Sequence, residues 1–309
     1  MRIVFFGCDD FAAVSLERLI AKGHSVVGVV TQPDRPRGRG LSMTYAPTKQ
    51  IALARGIAVF QPDSLKNPVL VERLRWFHAD LFVVIAYGKF LTEDVLALPG
   101  KGCFNLHASL LPKYRGAAPI NWALIHGEVE TGVTVMQMDA GMDTGGIVAQ
   151  AACPVPEDMT SALLRPQLAD LGAGLLIDTL PGIASGGYTL IPQDNSRASR
   201  APKMHKDLGH IAWDRSAREI HDLVRGVQPW PGAFTFWRGN RLKILDAAAA
   251  TALMRGRPGQ IVELHKDGFY VQAGDRAVLV RRVHPASSHA MDARAFLAGH
   301  KLAIGEVLG

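Results

Sequence analysis

Two polar residues, Asn105 and His107, stand two positions apart in the segment 103–124, CFNLHASLLPKYRGAAPINWAL, which follows a strongly apolar run. Successive side chains of a β-strand point to opposite faces, so this pair is expected on one face while Leu106 packs on the other. An Asn amide can stabilise the oxyanion that develops on an attacked carbonyl group. A His can move protons near neutral pH. The pair therefore indicates acyl- or formyl-transfer chemistry.

A histidine that must keep its orientation usually needs a carboxylate nearby, and the segment 138–146, MDAGMDTGG, contains two. Asp143 is the expected partner because Gly145 and Gly146 follow it directly and allow the backbone to approach a ligand. Asp139 is the other candidate. No Ser, Cys or Thr in a nucleophile elbow accompanies the trio, so we expect direct attack by an external amine. A purely structural Asn–His pair is the alternative interpretation.

Strand and helix patterns alternate through the first half of the chain. Apolar runs such as RIVFFG, SVVGVV and DLFVVIAYG predict buried strands, and the segments between them have helical spacing. This alternation predicts an α/β fold: a Rossmann-like, mostly parallel sheet with helices on both faces. Ligands of such sheets bind near the carboxyl ends of the strands. The first turn has the sequence GCDDFA instead of G-x-G-x-x-G, which argues against a nicotinamide-dependent dehydrogenase.

The last third of the chain has a different pattern, in which several short strands follow a helical segment. Asp267-Gly268 and Gly274-Asp275 are typical hairpin turns. These features predict a C-terminal OB-like β-barrel domain, a fold that often binds nucleic acid. A stretch rich in Gly, Pro and Ser separates the two parts. The expected boundaries are 1–186 for a catalytic domain, 187–205 for a linker and 206–309 for the barrel.

Charge is distributed unevenly along the 309 residues, which contain 34 Lys and Arg and 28 Asp and Glu. Up to Pro202 there are 18 of each, so the whole excess, 16 basic against 10 acidic residues, lies beyond it. This excess favours contact with a polyanion such as nucleic acid, with an ordinary basic surface as the alternative. Three cysteines without a CxxC pair, and apolar runs too short for a bilayer, predict a cytoplasmic protein without membrane or metal.

Two motifs, NLHASLLPKYRGAAPINWAL and ETGVTVMQMDAGMDTGG, resemble the catalytic domain of the folate-dependent formyltransferase family. The H-x-S-L-L-P signature and the D-x-G-x-D-T-G loop are both intact. Three more segments, TQPDRPRGRG, VFQPDSL and RGVQPWPGAFT, resemble the branch of that family that formylates methionyl-tRNA. The chain departs from the family at GCDDF, where Gly-Thr-Pro-x-Phe is usual, and at Arg200, where Tyr is usual. The matches extend over nearly the whole chain.

The resemblance implies that Asn105, His107 and Asp143 are the catalytic residues. It also implies that 10-formyltetrahydrofolate is the formyl donor and that the S-L-L-P segment holds it. The implied folate-binding residues are Ser109, Leu110, Leu111 and Pro112.

The loop 33–40, PDRPRGRG, carries three arginines, whose planar guanidinium groups suit phosphates. The resemblance implies that this loop reaches the acceptor end of the initiator methionyl-tRNA. Arg39 is the expected main contact, together with Arg35 and Arg37. A solvated basic loop is the alternative.

The activity that the resemblance implies is transfer of the formyl group from 10-formyltetrahydrofolate to the amino group of methionyl-tRNA, for translation initiation. A monomer is sufficient for this function. Two related activities are alternatives: formylation of an amino-sugar nucleotide, and hydrolysis of 10-formyltetrahydrofolate. An alternative of another class is a non-enzymatic RNA-binding protein. The basic last third favours a large anionic acceptor over a small one.

Overall fold

The computed structural model describes residues 1–37 and 42–309, and for residues 35–37, 42 and 43 it describes the backbone only. The chain forms two compact units. Residues 1–119, 130–154 and 165–202 form the N-terminal unit, and residues 120–129, 155–164 and 203–309 form the C-terminal unit. The domain boundaries that the sequence predicts, near residues 186 and 206, remain a prediction.

Strands and helices alternate in the N-terminal unit. Its strands are β1 (Arg2–Gly7), β2 (Ser25–Val30), β3 (Arg35–Arg37), β4 (Ser42–Thr44), β5 (Ala58–Phe60), β6 (Leu81–Ile85), β7 (Cys103–His107), β8 (Arg115–Gly116), β9 (Glu130–Gln137), β10 (Ile147–Pro154) and β11 (Arg200–Ala201). The helices of the first 200 residues are α1 (Asp10–Ala21), α2 (Pro47–Ala54), α3 (Pro68–Arg75), α4 (Glu93–Leu96), α5 (Pro119–Ile125) and α6 (Ser161–Ser185).

Seven strands form the main sheet of this unit, in the order β10-β9-β7-β6-β1-β2-β5. The five strands from β7 to β5 are parallel to their neighbours, whereas β9 and β10 are antiparallel. This confirms the predicted mostly parallel sheet. The two small pairs β3–β4 and β8–β11 lie outside it.

The main sheet is covered on both faces, which explains why its strands are continuously apolar. On one face, Val4 and Phe6 of β1 pack with Leu74 of α3 in a buried cluster. On the other face, Leu106 of β7 packs against Gly172 of α6. Leu106 is buried. The polar residues on either side of it therefore project from the opposite face, as the strand period requires.

The first turn, where the chain departs from the family pattern, begins α1. The Asp9 carboxylate accepts a hydrogen bond from the Ala12 N–H at 3.1 Å and so caps the helix. Asp9 also pairs with Arg165 of α6. The acidic residue in this turn thus has two structural partners. At α4, Thr92 occupies the N-cap position, but its side chain makes no capping hydrogen bond.

Among the described residues, α6 is the one helix long and apolar enough to cross a bilayer by length and composition. Its buried positions include Leu168, Leu176, Leu180 and Ile183, which recur at intervals of three to eight residues on one helical face. That pattern is typical of a helix packed on a protein core.

The C-terminal unit contains an antiparallel sheet in the order β12-β13-β16-β15-β14, with β17 beside β16. The predicted hairpin turns at Asp267-Gly268 and Gly274-Asp275 connect β14 to β15 and β15 to β16. Its elements are α7 (Ala217–Gly226), β12 (Phe234–Trp237), β13 (Asn240–Ala249), β14 (Ile261–His265), β15 (Gly268–Gln272), β16 (Ala277–Pro285), β17 (Met291–Asp292) and α8 (Ala293–Gly299).

The C-terminal tail joins the two edges of this sheet. The Leu308 N–H donates to the Gly259 carbonyl at 2.8 Å, beside the edge strand β14. The Gly309 N–H donates to the Phe236 carbonyl at 3.0 Å, in the edge strand β12. Backbone hydrogen bonds of the tail thus reach both edges of the antiparallel sheet, which agrees with the predicted OB-like fold.

Candidate active site

Strand β7 presents Asn105 and His107 on the face opposite Leu106. His107 is the last residue of the strand and is 6% exposed, whereas Asn105 is its middle residue and is half-buried. Main-chain pairing with β6 and β9 on both sides fixes this strand. The two side chains therefore project from a rigid support.

Asp143 lies beside both side chains, as the sequence predicts. Its Oδ1 atom is 3.4 Å from Nδ2 of Asn105, and its Oδ2 atom is 3.7 Å from Nδ1 of His107. Oδ2 also accepts a hydrogen bond from the Gly116 N–H at 2.8 Å. The structure thus brings the three predicted catalytic residues into one cluster. Their catalytic roles remain a prediction.

The orientation of His107 depends on a residue that the sequence analysis missed. Its Nε2 atom is 2.9 Å from the carbonyl oxygen of Tyr114, which has a φ of 63°. A carbonyl oxygen can only accept, so Nε2 carries a proton and donates it. The other ring nitrogen, Nδ1, is therefore the one that faces the Asp143 carboxylate.

The loop between β9 and β10 carries both candidate acids but uses them differently. The Asp139 carboxylate accepts from the Gly141 N–H at 2.9 Å and from the Thr144 hydroxyl at 2.6 Å, within the loop itself. Asp143 instead points at β7. At Gly145, a side chain would begin 1.8 Å from the Gln137 carbonyl oxygen, so this close approach requires glycine.

Gln193 and Arg115 support this loop, and neither was identified from the sequence. The Gln193 amide donates to the carbonyl oxygens of Asp143 and Gly145, each at 2.8 Å. Arg115 donates to the Gln193 side-chain oxygen at 2.7 and 3.0 Å. No sequence pattern pointed to Gln193, which lies in the polar stretch interpreted as a linker.

The S-L-L-P segment forms a tight turn directly after β7. The Ser109 hydroxyl is buried and donates to the Lys113 carbonyl at 2.6 Å, and Leu111 is buried too. Thr134 of β9 donates to the Ser109 carbonyl at 2.6 Å, which holds the turn against the sheet. Leu110 and Pro112 are half-buried and keep part of their surface accessible.

The arginine loop is only partly described. Arg35 and Arg37 lie on β3, whose backbone pairs with β4. Arg39, the expected main tRNA contact, lies outside the described residues.

The three cysteines are free thiols. Burial raises the pKa of the Cys103 thiol to about 12, and burial also raises the pKa of Cys8. Neither buried thiol is therefore an activated nucleophile. Within the described part of the chain, no group of three or more His, Cys, Asp or Glu side chains is placed to hold a metal ion.

Family models match both parts of the chain. One described as Formyl transferase matches residues 1–180, which includes the whole cluster around Asp143. One described as Formyl transferase, C-terminal domain, matches residues 203–301.

Curated relatives are similar over the full length. A methionyl-tRNA formyltransferase from Moorella thermoacetica is 46% identical over 309 residues, covering 100% of this chain and 99% of the relative. A protein of the same name from Acetivibrio thermocellus is 45% identical over 310 residues, covering 100% of both chains.

Solved structures of lower identity share the fold. An N-formyltransferase from Helicobacter canadensis, in complex with folinic acid and dTDP-3-aminofucose, has a TM-score of 0.67 and 20% identity, covering 90% of this chain and 98% of that one. HypX from Aquifex aeolicus, in complex with tetrahydrofolic acid, has a TM-score of 0.62 and 18% identity, covering 99% of this chain and 48% of that one. At these identities the similarity concerns the fold alone. The two family models and the full-length relatives show that the chain belongs to the formyl transferase family.

Proposed function

We propose that this protein transfers the formyl group of 10-formyltetrahydrofolate to the α-amino group of initiator methionyl-tRNA. The observation that carries the proposal is the clustering of Asn105, His107 and Asp143 in a chain that aligns end to end with methionyl-tRNA formyltransferases at 46% and 45% identity. The products are N-formylmethionyl-tRNA and tetrahydrofolate. A methionyl-tRNA acceptor implies that the protein acts in the cytoplasm. A monomer is sufficient, because one chain carries all three residues of the cluster.

The proposed reaction is a direct displacement at the formyl carbon. The neutral amine forms a new N–C bond, and the formyl oxygen becomes an oxyanion in the tetrahedral intermediate. The bond from the formyl carbon to N10 of the folate then breaks, the amine loses a proton and N10 gains one. No covalent enzyme intermediate is required, in keeping with the absence of a serine, threonine or activated cysteine nucleophile in the described cluster.

In the proposed mechanism, Asn105 and His107 of β7 stabilise the oxyanion. An Asn amide has two N–H groups, so Asn105 can contact Asp143 with one and donate to the oxyanion with the other. His107 donates from Nε2 to Tyr114, and so protonated His107 would donate to the oxyanion from Nδ1. Losing one such donor typically lowers kcat by about 10²–10³-fold.

Asp143 has two roles in this proposal. Its carboxylate lies 3.7 Å from Nδ1 of His107, where it orients the imidazole ring. It is also the acid that can accept the amine proton, directly or through a water. The Gly116 N–H hydrogen bond at 2.8 Å keeps the carboxylate in the cluster while this happens.

The donor is proposed to bind beside the S-L-L-P turn. The structure restricts how the four predicted residues act there. Ser109 and Leu111 are buried, and the Ser109 hydroxyl donates to the Lys113 carbonyl. These two residues therefore stabilise the turn. Leu110 and Pro112 retain accessible apolar surface for the folate.

The C-terminal sheet offers a surface suited to RNA. Phe234 and Phe236 of β12 pair with Lys243 and Arg241 of β13, and directly paired residues share one face. The Arg241 guanidinium lies 3.6 Å from the centroid of the Phe234 ring, and Phe236 is exposed. The His210 ring is tilted against both rings, with centroid distances of 5.3 Å to Phe234 and 6.1 Å to Phe236. Aromatic and cationic groups on one face are typical of surfaces that stack bases and bind phosphates.

A formyltransferase with an amino-sugar nucleotide as acceptor is the second candidate, because the Helicobacter canadensis neighbour shares the fold and is solved with such a compound. Its identity to this chain is 20%, against 46% for the Moorella relative. The excess of 16 basic over 10 acidic residues after Pro202 also favours a polyanionic acceptor.

The test is transfer of labelled formyl from 10-formyltetrahydrofolate to three acceptors in parallel: methionyl-tRNA, dTDP-3-aminofucose and water. We expect label in methionyl-tRNA alone, at a rate that falls as salt rises. Faster labelling of the sugar nucleotide would replace the proposed acceptor. Release of free formate without acceptor would indicate a hydrolase, and no turnover of the donor would leave only the RNA-binding alternative.

A further inference from the structure

We infer that Gln193 is a positioning residue for formyl transfer: anchored by Arg115, it holds the main chain of the Asp143 loop so that the Asp143 carboxylate stays against His107 and Asn105. This inference rests on the proposed catalytic role of Asp143. It concerns a residue that touches neither His107 nor Asn105 and acts only through the loop.

The Gln193 amide has an unambiguous orientation. Its nitrogen lies 2.8 Å from the carbonyl oxygen of Asp143 and 2.8 Å from that of Gly145, and carbonyl oxygens only accept. Its oxygen faces Arg115, which only donates. In the reverse orientation, the Gln193 oxygen would face the two carbonyl oxygens and its NH₂ group would face the N–H groups of Arg115. Both N–H groups of the amide are thus used on the carbonyl oxygens of the two residues on either side of Thr144.

Arg115 fixes the amide from behind. Its Nε and Nη2 atoms donate to the Gln193 oxygen at 3.0 and 2.7 Å, and Nη2 also donates to Asn195 Oδ1 at 2.9 Å. The next residue, Gly116, donates its N–H to the Asp143 carboxylate at 2.8 Å. Two adjacent residues of β8 therefore hold Asp143. Gly116 holds the carboxylate of Asp143 directly, and Arg115 holds its main-chain carbonyl by way of Gln193.

Asp143 needs this support for two reasons. Its φ is 54°, in the left-handed region that residues with a side chain rarely adopt without being held there. Its contacts with Asn105 and His107 are long, at 3.4 and 3.7 Å, and contacts of that length are too weak to fix the carboxylate. The short hydrogen bonds from Gly116 and Gln193 are the ones that can.

Gln193→Glu tests the two donated hydrogen bonds specifically. The substitution keeps the size of the side chain and an acceptor for Arg115, but it places oxygen against two carbonyl oxygens. Because a displacement of about 1 Å at a reacting group can cost about 10²-fold, we expect kcat to fall about 10–100-fold, with unchanged KM for donor and acceptor. Gln193→Ala should behave alike. Wild-type kcat in both variants would overturn the inference.

A matched control lies on the same segment. The Ser196 hydroxyl donates to Asp194 at 2.7 Å and is not part of the hydrogen bonds that join Gln193 to Arg115 and the loop, so Ser196→Ala should keep wild-type kcat. Melting temperatures of all variants separate positioning from folding. A lower melting temperature of the Gln193 variants with normal kcat of the folded protein would assign Gln193 a structural role only, against the inference.

A double-mutant cycle with Asp143→Ala shows whether Gln193 acts through Asp143. We expect Gln193→Ala to lower kcat by less than about twofold in the Asp143→Ala background, because residues that act as a unit are not additive. An undiminished loss in that background would overturn the inference while leaving the role of Asp143 intact. If Asp143→Ala itself kept wild-type kcat, the proposed function of Asp143 would fail first.

Discussion

Asp222 of α7 should be essential to the stability of the C-terminal unit. It is 3% exposed and accepts hydrogen bonds from Arg225 at 2.7 Å and from Arg218 at 2.9 Å, with His221 at 3.3 Å. Asp222→Asn removes the negative charge and keeps the shape. The buried guanidinium of Arg225 would then have lost its counter-charge.

The expected cost follows from that burial. The Arg225 side chain is 4% exposed, and its remaining acceptors, the carbonyls of Pro156 and Met159, are 3.4 Å away. Removing one partner of a buried ion pair typically costs about 3–5 kcal/mol. We therefore expect the free energy of unfolding of the C-terminal unit to fall by about that amount at pH 7.

The difference should disappear in acid. Burial by itself would raise the pKa of Asp222, but hydrogen bonds from His221 and Arg225 and the charges of Arg225 and Arg218 outweigh it, so that the pKa is lowered. A lowered pKa in the folded state means that the stabilisation is complete above the unfolded pKa, about 4, and is lost as the pH falls through the folded value. The stabilities of wild type and Asp222→Asn should therefore begin to converge below about pH 4 and become equal only below the lowered folded pKa of Asp222.

Urea unfolding followed by tryptophan fluorescence is a suitable assay, because Trp122, Trp213, Trp230 and Trp237 all lie in the C-terminal unit. Arg215→Gln is the matched control, because Arg215 lies just before α7 and pairs with a residue of its first turn. It removes an exposed pair with Glu219 at 3.6 Å and should cost less than about 1 kcal/mol. Equal stabilities of Asp222→Asn and the control at pH 7 would refute the reasoning.

Two further predictions concern the proposed tRNA contact and the hydrogen bond that holds Asp143. Arg39→Ala should raise the KM for methionyl-tRNA about tenfold, the effect of one lost charged hydrogen bond, and leave the KM for the folate unchanged; unchanged tRNA kinetics would exclude the contact. Gly116→Ala should lower kcat about 10–100-fold, because a Cβ atom there would lie 2.6 Å from the Ala201 carbonyl and displace the N–H that holds Asp143. Gly56 also has a positive φ, 66°, but no atom lies within 4 Å of the position that a Cβ atom would take. Gly56→Ala should therefore leave kcat unchanged.

Much of the fold could be predicted from the sequence because apolar periodicity reports directly on buried strands and helix faces. The run LFVVI became a central strand, and Asn105 and His107 projected from one face of β7 as their spacing required. Asp143 could be predicted too, since the glycines around it indicated a loop of close backbone approach. Each of these features depends on residues that are close together in the sequence, and such local patterns can be read from the sequence alone.

The supporting contacts of the site could not be predicted, because they depend on backbone conformation and on segments far apart in sequence. The carbonyl of Tyr114 reaches His107 only through a left-handed φ of 63°. Gln193 reaches Asp143 across 50 residues, from a stretch whose composition is typical of a linker.

Single-turnover formyl transfer from 10-formyltetrahydrofolate to methionyl-tRNA, by the wild type and by Asn105→Ala, tests the central claim most directly. The side chain of Asn105 is half-buried and bonded only weakly to Asp143, so the variant should fold and bind both substrates. We predict that the rate of the chemical step falls about 10²–10³-fold, the loss of one oxyanion donor. A rate within a factor of about two of the wild type would contradict the assignment of this cluster as the site of formyl transfer.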